Sequence, residues 1–507
     1  MSDIRIKSAF VSVYYKDGLE AIVQKLDSLG VSVVSTGGSW DFITRAGVNA
    51  GKVEDITTYP SILGGRVKTL HPGIFGGILA RRNNETDMKQ VAEYNIRLFD
   101  LVIVDLYPFE GTVASGAADQ EIIEKIDIGG ISLIRAGAKN YADVLIVSSR
   151  SQYDALMQIL ETGEGVITEA ERYRFALEAF NLASHYDTAI FKWFNRRNDV
   201  SAFKQSILTG HELRYGENPH QKGIFFGDPG LVFEQLHGKE ISYNNLLDID
   251  AAISLIDEFE EITCAIIKHN NACGIASRAD LKTSWEAALA CDPVSAYGGV
   301  AIVNRDIDEA VASEMDKIFL EVVIAPSFSG KAVEILKQKK NRIILHRKPS
   351  HADAASFRSL LGGVLWQERD IMNEKPADMK PVTERHPTKE EYEDLVFANR
   401  VVKQSRSNAI VLVKGRQLCA SGIGQTSRID ALRQAIDKAR AFGFSLEGAV
   451  MASDAFFPFA DSVTTAHEAG ITAIVQPGGS VRDNDSIDYC NKNNVSMVFT
   501  GIRHFKH

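Results

Sequence analysis

The residues best suited to acid–base chemistry are Lys268 and His269, at the end of the apolar run in CAIIKHNNACG (264–274). An imidazole has an intrinsic pKa of about 6.5, so it can accept a proton near neutrality. An adjacent ammonium can stabilise negative charge developing in a transition state. Taken alone, the pair serves equally as a satisfied loop histidine beside a surface lysine. Further polar clusters follow: Arg214 and Tyr215 in RYGENPHQ, Asn408 in RSNAI, and Gln425, Ser427 and Arg428 in GIGQTSRID. SDAFFPFAD (453–461) sets carboxylates beside three phenylalanines, suited either to stacking on a flat heterocycle or to a core turn.

The first 150 residues hold a second set. Gly64, Gly65, Arg66, Lys68 and Thr69 in LGGRVKT combine close backbone approach with cations and a hydroxyl, a composition that can hold phosphate. TGGS (36–39) offers N–H groups at a helix start. Each serves equally as a turn, a helix cap or a solvated charged face. IDIGGISLIRAGAKN (126–140) joins Asp127 to Lys139 through a helix. Lys139 is there either a residue that complements the helix dipole or, in a dry pocket, an acid–base group. Tyr107 in LYPF is a hydrogen-bond donor or a core anchor.

The elements that must place these residues alternate in type. Strands are expected at 6–13, 31–34, 101–106 and 144–149, with helices at 17–30 and from TGGS onward, giving βαβ units and a largely parallel sheet. Ligands of such sheets sit at the carboxyl ends of the strands. A helix fills 168–197, and a domain boundary falls near 200. Strands recur at 264–269, 298–303, 408–413, 448–453 and 471–476. The charged segments 333–358 and 367–394 are expected as surface helix and loop. The blocks 262–330 and 407–507 are candidates for a duplicated unit.

With 507 residues, 45% hydrophobic and 24% charged, the chain is a multidomain globular protein. A net charge of -10 disfavours broad nucleic-acid or anionic-membrane binding. No signal-peptide pattern and no long apolar run is present, so a cytoplasmic protein is expected. Five cysteines without C-x-x-C spacing argue against disulfides and structural zinc. No zinc-hydrolase, zinc-deaminase, Walker or dinucleotide fingerprint occurs.

In chain order, STGG (35–38), LGGRVKTLHP (63–72), LYPF (106–109), IDIGG (126–130), AKN (138–140), LRYGENPHQ (213–221), KHNNACG (268–274), SNAI (407–410), GQTSR (424–428), SDAFFPF (453–459) and QPGGS (476–480) resemble one family. It is the bifunctional phosphoribosylaminoimidazolecarboxamide formyltransferase / IMP cyclohydrolase family of purine biosynthesis. The resemblance implies an α/β fold: a methylglyoxal-synthase-like domain at 1–200, carrying the cyclohydrolase, and two cytidine-deaminase-like α/β units at 201–507, carrying the transferase. It implies formyl transfer from 10-formyltetrahydrofolate to the amine of aminoimidazole carboxamide ribonucleotide (AICAR), then closure of the formylated product (FAICAR) to IMP with loss of water. It also implies small-molecule nucleotide and folate ligands, no catalytic metal, room for a potassium ion, and a homodimer with transferase sites at the subunit interface.

By the same resemblance His269 is the proton acceptor, Lys268 the transition-state stabiliser, and Asn408 a contact to the carboxamide region. Arg214, Tyr215, Gly298, Glu321, Arg428 and Arg503 bind AICAR. Ile429, Phe456, Asp461, Ser480 and Val481 form the folate site. Lys139 is the cyclohydrolase acid–base group. Lys16, Thr36, Gly37, Gly38, Ser39, Arg66, Val67, Lys68, Thr69, Asp105, Asp127 and Ile128 line the IMP pocket, with Tyr107 nearby. Asp105 stands where relatives often carry Asn, Phe75 where many carry His, and Tyr14 and Tyr15 where small or acidic residues are common. A transferase with an impaired cyclohydrolase domain, and a non-catalytic nucleotide sensor, are the alternative readings.

Overall fold

In the computed structural model, which describes residues 3–349 and 354–507, the chain divides into two compact units, Met1–Leu208 and Thr209–His507.

The first unit is built on five strands: β1 (Ser8–Ser12), β2 (Ser32–Ser35), β3 (Ala50–Lys52), β4 (Leu101–Val104) and β5 (Leu145–Val147). They pair in the order β3-β2-β1-β4-β5, all parallel. The sheet is covered on both faces, so its strands are continuous apolar runs. Phe10, Val34, Val102 and Ile146 enter one core, and Ala9, Val11, Val33, Leu101 and Leu145 the other. Helix α1 (Leu19–Ser28) buries Leu19, Ile22, Val23 and Leu26, the i, i+3, i+4, i+7 stripe of an amphipathic helix. Helices α2 (Gly37–Arg45) and α3 (Gly129–Lys139) follow.

The 26-residue α4 (Glu169–Phe194) starts with a capping box. Glu171 N–H donates to Thr168 Oγ1 at 3.2 Å, and Thr168 N–H to Glu171 Oε2 at 2.8 Å. Its buried face carries Phe175, Ala176, Ala179, Ala183 and Tyr186. Arg172 on that face is buried, with its guanidinium satisfied by the carbonyls of Tyr141, Ala142 and Ile167.

The second unit contains the same six-stranded sheet twice. The first half comprises β6 (Phe233–His237), α5 (Tyr243–Ile256), β7 (Thr263–Lys268), β8 (Asn271–Ser277), α6 (Leu281–Cys291), β9 (Val300–Val303), α7 (Glu309–Asp316), β10 (Val322–Ala325), α8 (Gly330–Leu336) and β11 (Ile343–Arg347). The second comprises β12 (Lys380–Pro381), α9 (Lys389–Lys403), β13 (Ile410–Val413), β14 (Leu418–Gly422), α10 (Arg428–Ala441), β15 (Ala449–Ser453), α11 (Asp461–Glu468), β16 (Ile471–Gln476), α12 (Asp483–Lys492) and β17 (Ser496–Phe499). The orders are β6-β11-β10-β9-β7-β8 and β12-β17-β16-β15-β13-β14, which match strand for strand. Each half opens its sheet with an antiparallel hairpin carrying one bulge, after Ile266 in the first and after Leu412 in the second. Helices α5 and α9 contribute Ile249, Leu255, Leu395 and Val402 to one core shared by both sheets.

The duplication is longer than the blocks suggested by the sequence, because β6, α5 and β11 belong to the first copy. The segment 333–358 is corrected. Part of it is β11, whose Ile343, Ile344 and Leu345 are fully buried inside the sheet. Lysines on one side and Arg347-Lys348 on the other mask this short apolar run in the sequence. Residues 350–353 of the segment lie outside the described residues. Ala355–Leu360 and Gly363–Glu368 pair as an antiparallel hairpin, and 367–394 contains the edge strand β12 and the start of α9. The five cysteines are free and buried.

Trp285 on α6 is 1% exposed and sits in the core between α6 and the first sheet. Trp285→Ala should lower unfolding free energy by about 3–5 kcal/mol, measured by denaturant titration followed by circular dichroism.

Candidate active sites

In the first unit, β1 is the strand at which the chain's connections depart to both sides, β2 on one and β4 on the other. Loops leaving such neighbouring strands diverge, opening a crevice at their carboxyl ends. A cavity of about 1000 Å³ occupies this place, lined by residues following β1 (Tyr14, Lys16), β2 (Thr36, Gly38, Ser39) and β4 (Asp105, Tyr107). Arg66, Lys68, Thr69, Asp127, Ile128, Gly129 and Gly130 complete its wall.

Hydrogen bonds hold the wall together. Ser39 Oγ accepts from Val13 N–H at 3.0 Å, and Lys16 Nζ donates to Ser39 Oγ at 3.3 Å, to the Tyr14 carbonyl at 3.2 Å and to the Val13 carbonyl. Asp105 accepts from two successive backbone N–H groups, Tyr14 on Oδ1 and Tyr15 on Oδ2 at 3.0 Å. That explains a carboxylate here: it offers an acceptor oxygen to each N–H, whereas an asparagine would offer one. Asp127 Oδ1 accepts Gly130 N–H at 2.6 Å. Its own N–H donates to Tyr186 Oη at 2.7 Å, and that hydroxyl donates to the Lys125 carbonyl at 2.9 Å. Helix α4 thereby fixes the cavity floor. No sequence signal could reveal this, because the partners are 59 residues apart.

Burial perturbs the titratable groups. It pushes the Asp105 and Asp127 carboxyls up, against the backbone N–H groups that they accept. It pushes the Lys16 ammonium down, against the pull of Asp105, and pushes Tyr107 up. Carboxyls tuned toward neutrality beside a lysine tuned the same way are suited to proton transfer. Anion chemistry is provided alongside. The starts of α2 and α3 both border the cavity; at α3 the Gly130 N–H is taken by Asp127, which leaves the start of α2 as the helix terminus suited to an anion. The Lys68 ammonium reaches close to the backbone at Gly37, whose φ of 31° is a conformation that favours glycine. Arg66 pairs with Glu124, and Lys68 stands 3.9 Å from Glu54.

Two residues expected at the cyclohydrolase site, Lys139 and Val67, are not among those lining this cavity. Lys139 is exposed at the C-terminal end of α3, about 15 Å along the axis from Gly129 at the cavity. Val67 borders a separate small cavity with Thr57, Tyr59 and His71. Phe75 packs against the apolar core and takes no part in the wall. Tyr14 does take part. Its ring stands 5.5 Å from that of Tyr107 and 4.9 Å from that of Tyr15.

In the second unit, β7 and β8 are joined by His269 and Asn270, whose φ angles are 51° and 64°. Two central residues with positive φ make a type I′ turn, which suits the twist of a tight hairpin. Because β7 is antiparallel to β9, its carboxyl end lies at the amino ends of β9 and β10. Lys268, Gly298 and Glu321 consequently gather at one end of the sheet. Lys268 Nζ donates to the Tyr297 carbonyl at 2.9 Å, and a Cβ on Gly298 would stand 3.3 Å from that nitrogen. Glu321 pairs with Lys239, which the motifs did not single out. His269 is exposed. Asp248 on α5 faces the turn, with its carboxyl pushed up by burial and pulled back by the Asn270 N–H, His269 and Lys268.

The second half contributes the opposite end of its sheet. Asn408 Nδ2 donates to the Gln425 carbonyl at 3.0 Å. Arg428 begins α10 and donates to buried Asp454 at 3.2 Å. Arg428 and Arg503 both face the Phe505 ring, at 5.6 and 4.3 Å. Arg406 N–H, 3.4 Å from Asn271 Oδ1, joins this region to the turn. Phe456 is 37% exposed, Asp461 and Val481 are exposed, and Ile429 and Ser480 are half-buried. Arg214 stands 5.6 Å over Tyr215 at the Gly210–Phe226 hairpin, beside the start of α5 through Asn244 Nδ2 and the Glu217 carbonyl. No contact joins Arg214 or Tyr215 to His269 among the described residues.

The chain matches the family model for the AICARFT/IMPCHase bienzyme over residues 137–438 and that for an MGS-like domain over 18–132. The second match accords with the methylglyoxal-synthase-like fold expected of the first unit. The chain is 60% identical over 503 residues, 99% of each protein, to the bifunctional purine biosynthesis protein PurH of Bacteroides thetaiotaomicron. It is 46% identical to the protein of that name from Acetivibrio thermocellus and 44% identical to that from Aquifex aeolicus, over 99% and 98% of this chain and the whole of each relative.

The C-terminal segment bearing Arg503 is anchored by His504, whose Nδ1 meets Asp370 at 2.6 Å and whose Nε2 meets Glu374 at 2.9 Å. Burial alone would lower its pKa, but the two carboxylates more than offset that and hold it at about 9. A raised imidazole pKa favours the folded state fully below about 6.5, and the benefit is lost as pH rises toward about 9. Stability should fall by about 3 kcal/mol across that window. His504→Gln should abolish this slope in urea titrations at successive pH values.

Proposed function

The chain belongs to the AICARFT/IMPCHase bienzyme family, and from this we propose that it catalyses the last two steps to IMP. It transfers a formyl group from 10-formyltetrahydrofolate to AICAR, releasing tetrahydrofolate, and then closes FAICAR to IMP with loss of water. The observation that carries this reading is the identity to relatives named as bifunctional purine biosynthesis proteins along both units.

Formyl transfer is assigned to the second unit. The AICAR amine is a poor nucleophile because its lone pair is delocalised into the imidazole and carboxamide. His269 takes the proton as the amine nitrogen bonds to the formyl carbon, and Lys268 stabilises the oxyanion that forms. Asn408 holds the carboxamide. Arg214, Tyr215, Gly298, Glu321, Arg428 and Arg503 hold the nucleotide, while Ile429, Phe456, Asp461, Ser480 and Val481 hold the folate. The exposure of His269, Arg214 and Val481 suits a site completed by a second copy in a homodimer. The protein works in the cytoplasm, and among its described residues no helix is long and apolar enough to cross a membrane.

Ring closure is assigned to the first unit. The carboxamide nitrogen attacks the formyl carbon within one molecule, so geometry supplies much of the rate. The formyl oxygen leaves as water after gaining two protons; the attacking carboxamide nitrogen loses one and the formamido nitrogen the other. Arg66, Lys68, Thr69 and the start of α2 fit the nucleotide phosphate. Burial moves Lys16, Asp105 and Asp127 toward neutrality, which supports assigning the proton steps to them, since Lys139 is not among the residues lining this cavity.

His269→Ala should lower formyl transfer by about 10²–10⁴-fold and leave closure of supplied FAICAR unchanged, read by following tetrahydrofolate and IMP separately. Asp127→Asn should slow closure at least about tenfold and spare transfer. Lys139→Ala should cost less than Asp127→Asn in the same assay, and an equal loss would return the proton transfer to Lys139.

A further inference from the structure

The two halves of the second unit repeat a hydrogen-bonded device that only one of them leaves open. A single constant offset along the chain carries Lys268 to Lys414, Asn271 to Gln417, Cys273 to Cys419 and Asp248 to Asp394. The turns it relates have the same backbone: positive φ at His269 and Asn270 in one, and at Gly415 and Arg416 in the other. In each, a carboxylate on the helix packed against the sheet accepts turn N–H groups. Asn270 N–H donates to Asp248 Oδ1 at 2.7 Å. With its amide nitrogen turned toward α5, the Asn270 side chain adds bonds to Asp248 Oδ1 at 3.1 Å and the Leu247 carbonyl at 3.0 Å. In the second copy, Gly415 and Arg416 N–H groups donate to the two oxygens of Asp394 at 2.7 and 2.6 Å.

The copies then part. The second turn is closed by the first half. Ala276 bridges to Gln417, and Ser277 N–H donates to the Arg416 carbonyl at 2.9 Å. The Arg278 guanidinium donates to the Gly415 carbonyl at 2.7 Å and to Gln417 Oε1 at 2.6 Å. Across the same junction, among the described residues, the first turn receives one long hydrogen bond, from Arg406 N–H to Asn271 Oδ1 at 3.4 Å. Where the closed turn has Gly415, the open one presents the His269 imidazole.

We propose that Asp248 is a positioning residue for formyl transfer: by fastening the turn to α5 it aims His269 and Lys268 at the substrate, while Asp394 performs the same fastening in a copy whose turn has been sealed. This deepens the reading of His269 as the base and rests on it. A positioning role differs from a purely structural one because the two aspartates make equivalent bonds, yet only one of the turns bears reacting groups.

The test compares Asp248→Ala with Asp394→Ala in the full-length protein, measuring melting temperature together with kcat and KM for AICAR. Both variants should lower the melting temperature. Asp248→Ala should reduce transfer kcat by about 100-fold, since misplacement of reacting groups by an ångström costs about that much, with KM changed only a few-fold. Asp394→Ala should keep kcat within about twofold. Asp248→Asn keeps one acceptor oxygen for the Asn270 N–H and should recover most of the lost kcat. Should either alanine variant fail to fold, Asp248→Leu and Asp394→Leu, which keep side-chain volume and remove the acceptor oxygens, make the same comparison, with the larger kcat loss expected at 248. Equal kcat effects at 248 and 394, with His269→Ala inactive in transfer, overturn the positioning role and leave the base assignment standing. An active His269→Ala overturns both.

Discussion

Two helices, α5 and α9, are packed into one core between the duplicated sheets, and the second unit depends on that packing. Ile249 and Leu255 on one helix, and Leu395 and Val402 on the other, share a core with Ile267, Ile302, Val411 and Val450 of the strands. Phe259 and Phe397 meet with ring centroids 5.1 Å apart. Lys403 meets Glu258 at 2.9 Å with both side chains nearly buried, so either partner alone would leave an uncompensated charge in the interior. With the helices fixed this way, Asp248 and Asp394 cannot avoid their respective turns, and the hairpins inherit their orientation from the core.

The two units present polar groups by different physical routes. In the first, all five strands are parallel, and the site uses what parallel sheets provide: diverging loops and a helix start with its N–H groups. In the second, β7 and its counterpart β13 run antiparallel to the parallel strands beside them. That reversal brings the carboxyl end of β7 to the amino ends of β9 and β10, so Lys268 meets Gly298, beside the start of the strand that follows Glu321. The second half supplies its loops from the other end of its sheet, where Arg428, Asp454 and Arg503 gather.

The departures of this chain from its family's pattern also acquire physical meaning. Asp105 is a carboxylate because two backbone N–H groups converge on it, and burial pushes its carboxyl up, as it does that of Asp127. Tyr14 extends an aromatic wall with Tyr107 at the cavity mouth. Phe75 is a core residue, so its difference from histidine concerns packing.

The sequence by itself determined the parallel fold of the first unit, the stripes of α1 and α4, and the strand before Lys268. Local periodicity and turn chemistry encode those directly. Its motifs also marked the polar clusters at the strand ends, of which Lys16, Arg66, Lys68, Asp105 and Asp127 line the first unit's cavity. Only the tertiary structure decided that α3 carries Lys139 away from the cavity that its first turn borders. A helix sets distance along its axis, but packing chooses which end faces the ligand. Only the tertiary structure revealed β11 as a buried strand, the full extent of the duplication, and the Tyr186 hydroxyl beneath Asp127. The two copies share sheet order, bulges and capping aspartates, but few side chains, because backbone pairing and core volume constrain topology far more tightly than they constrain residue identity.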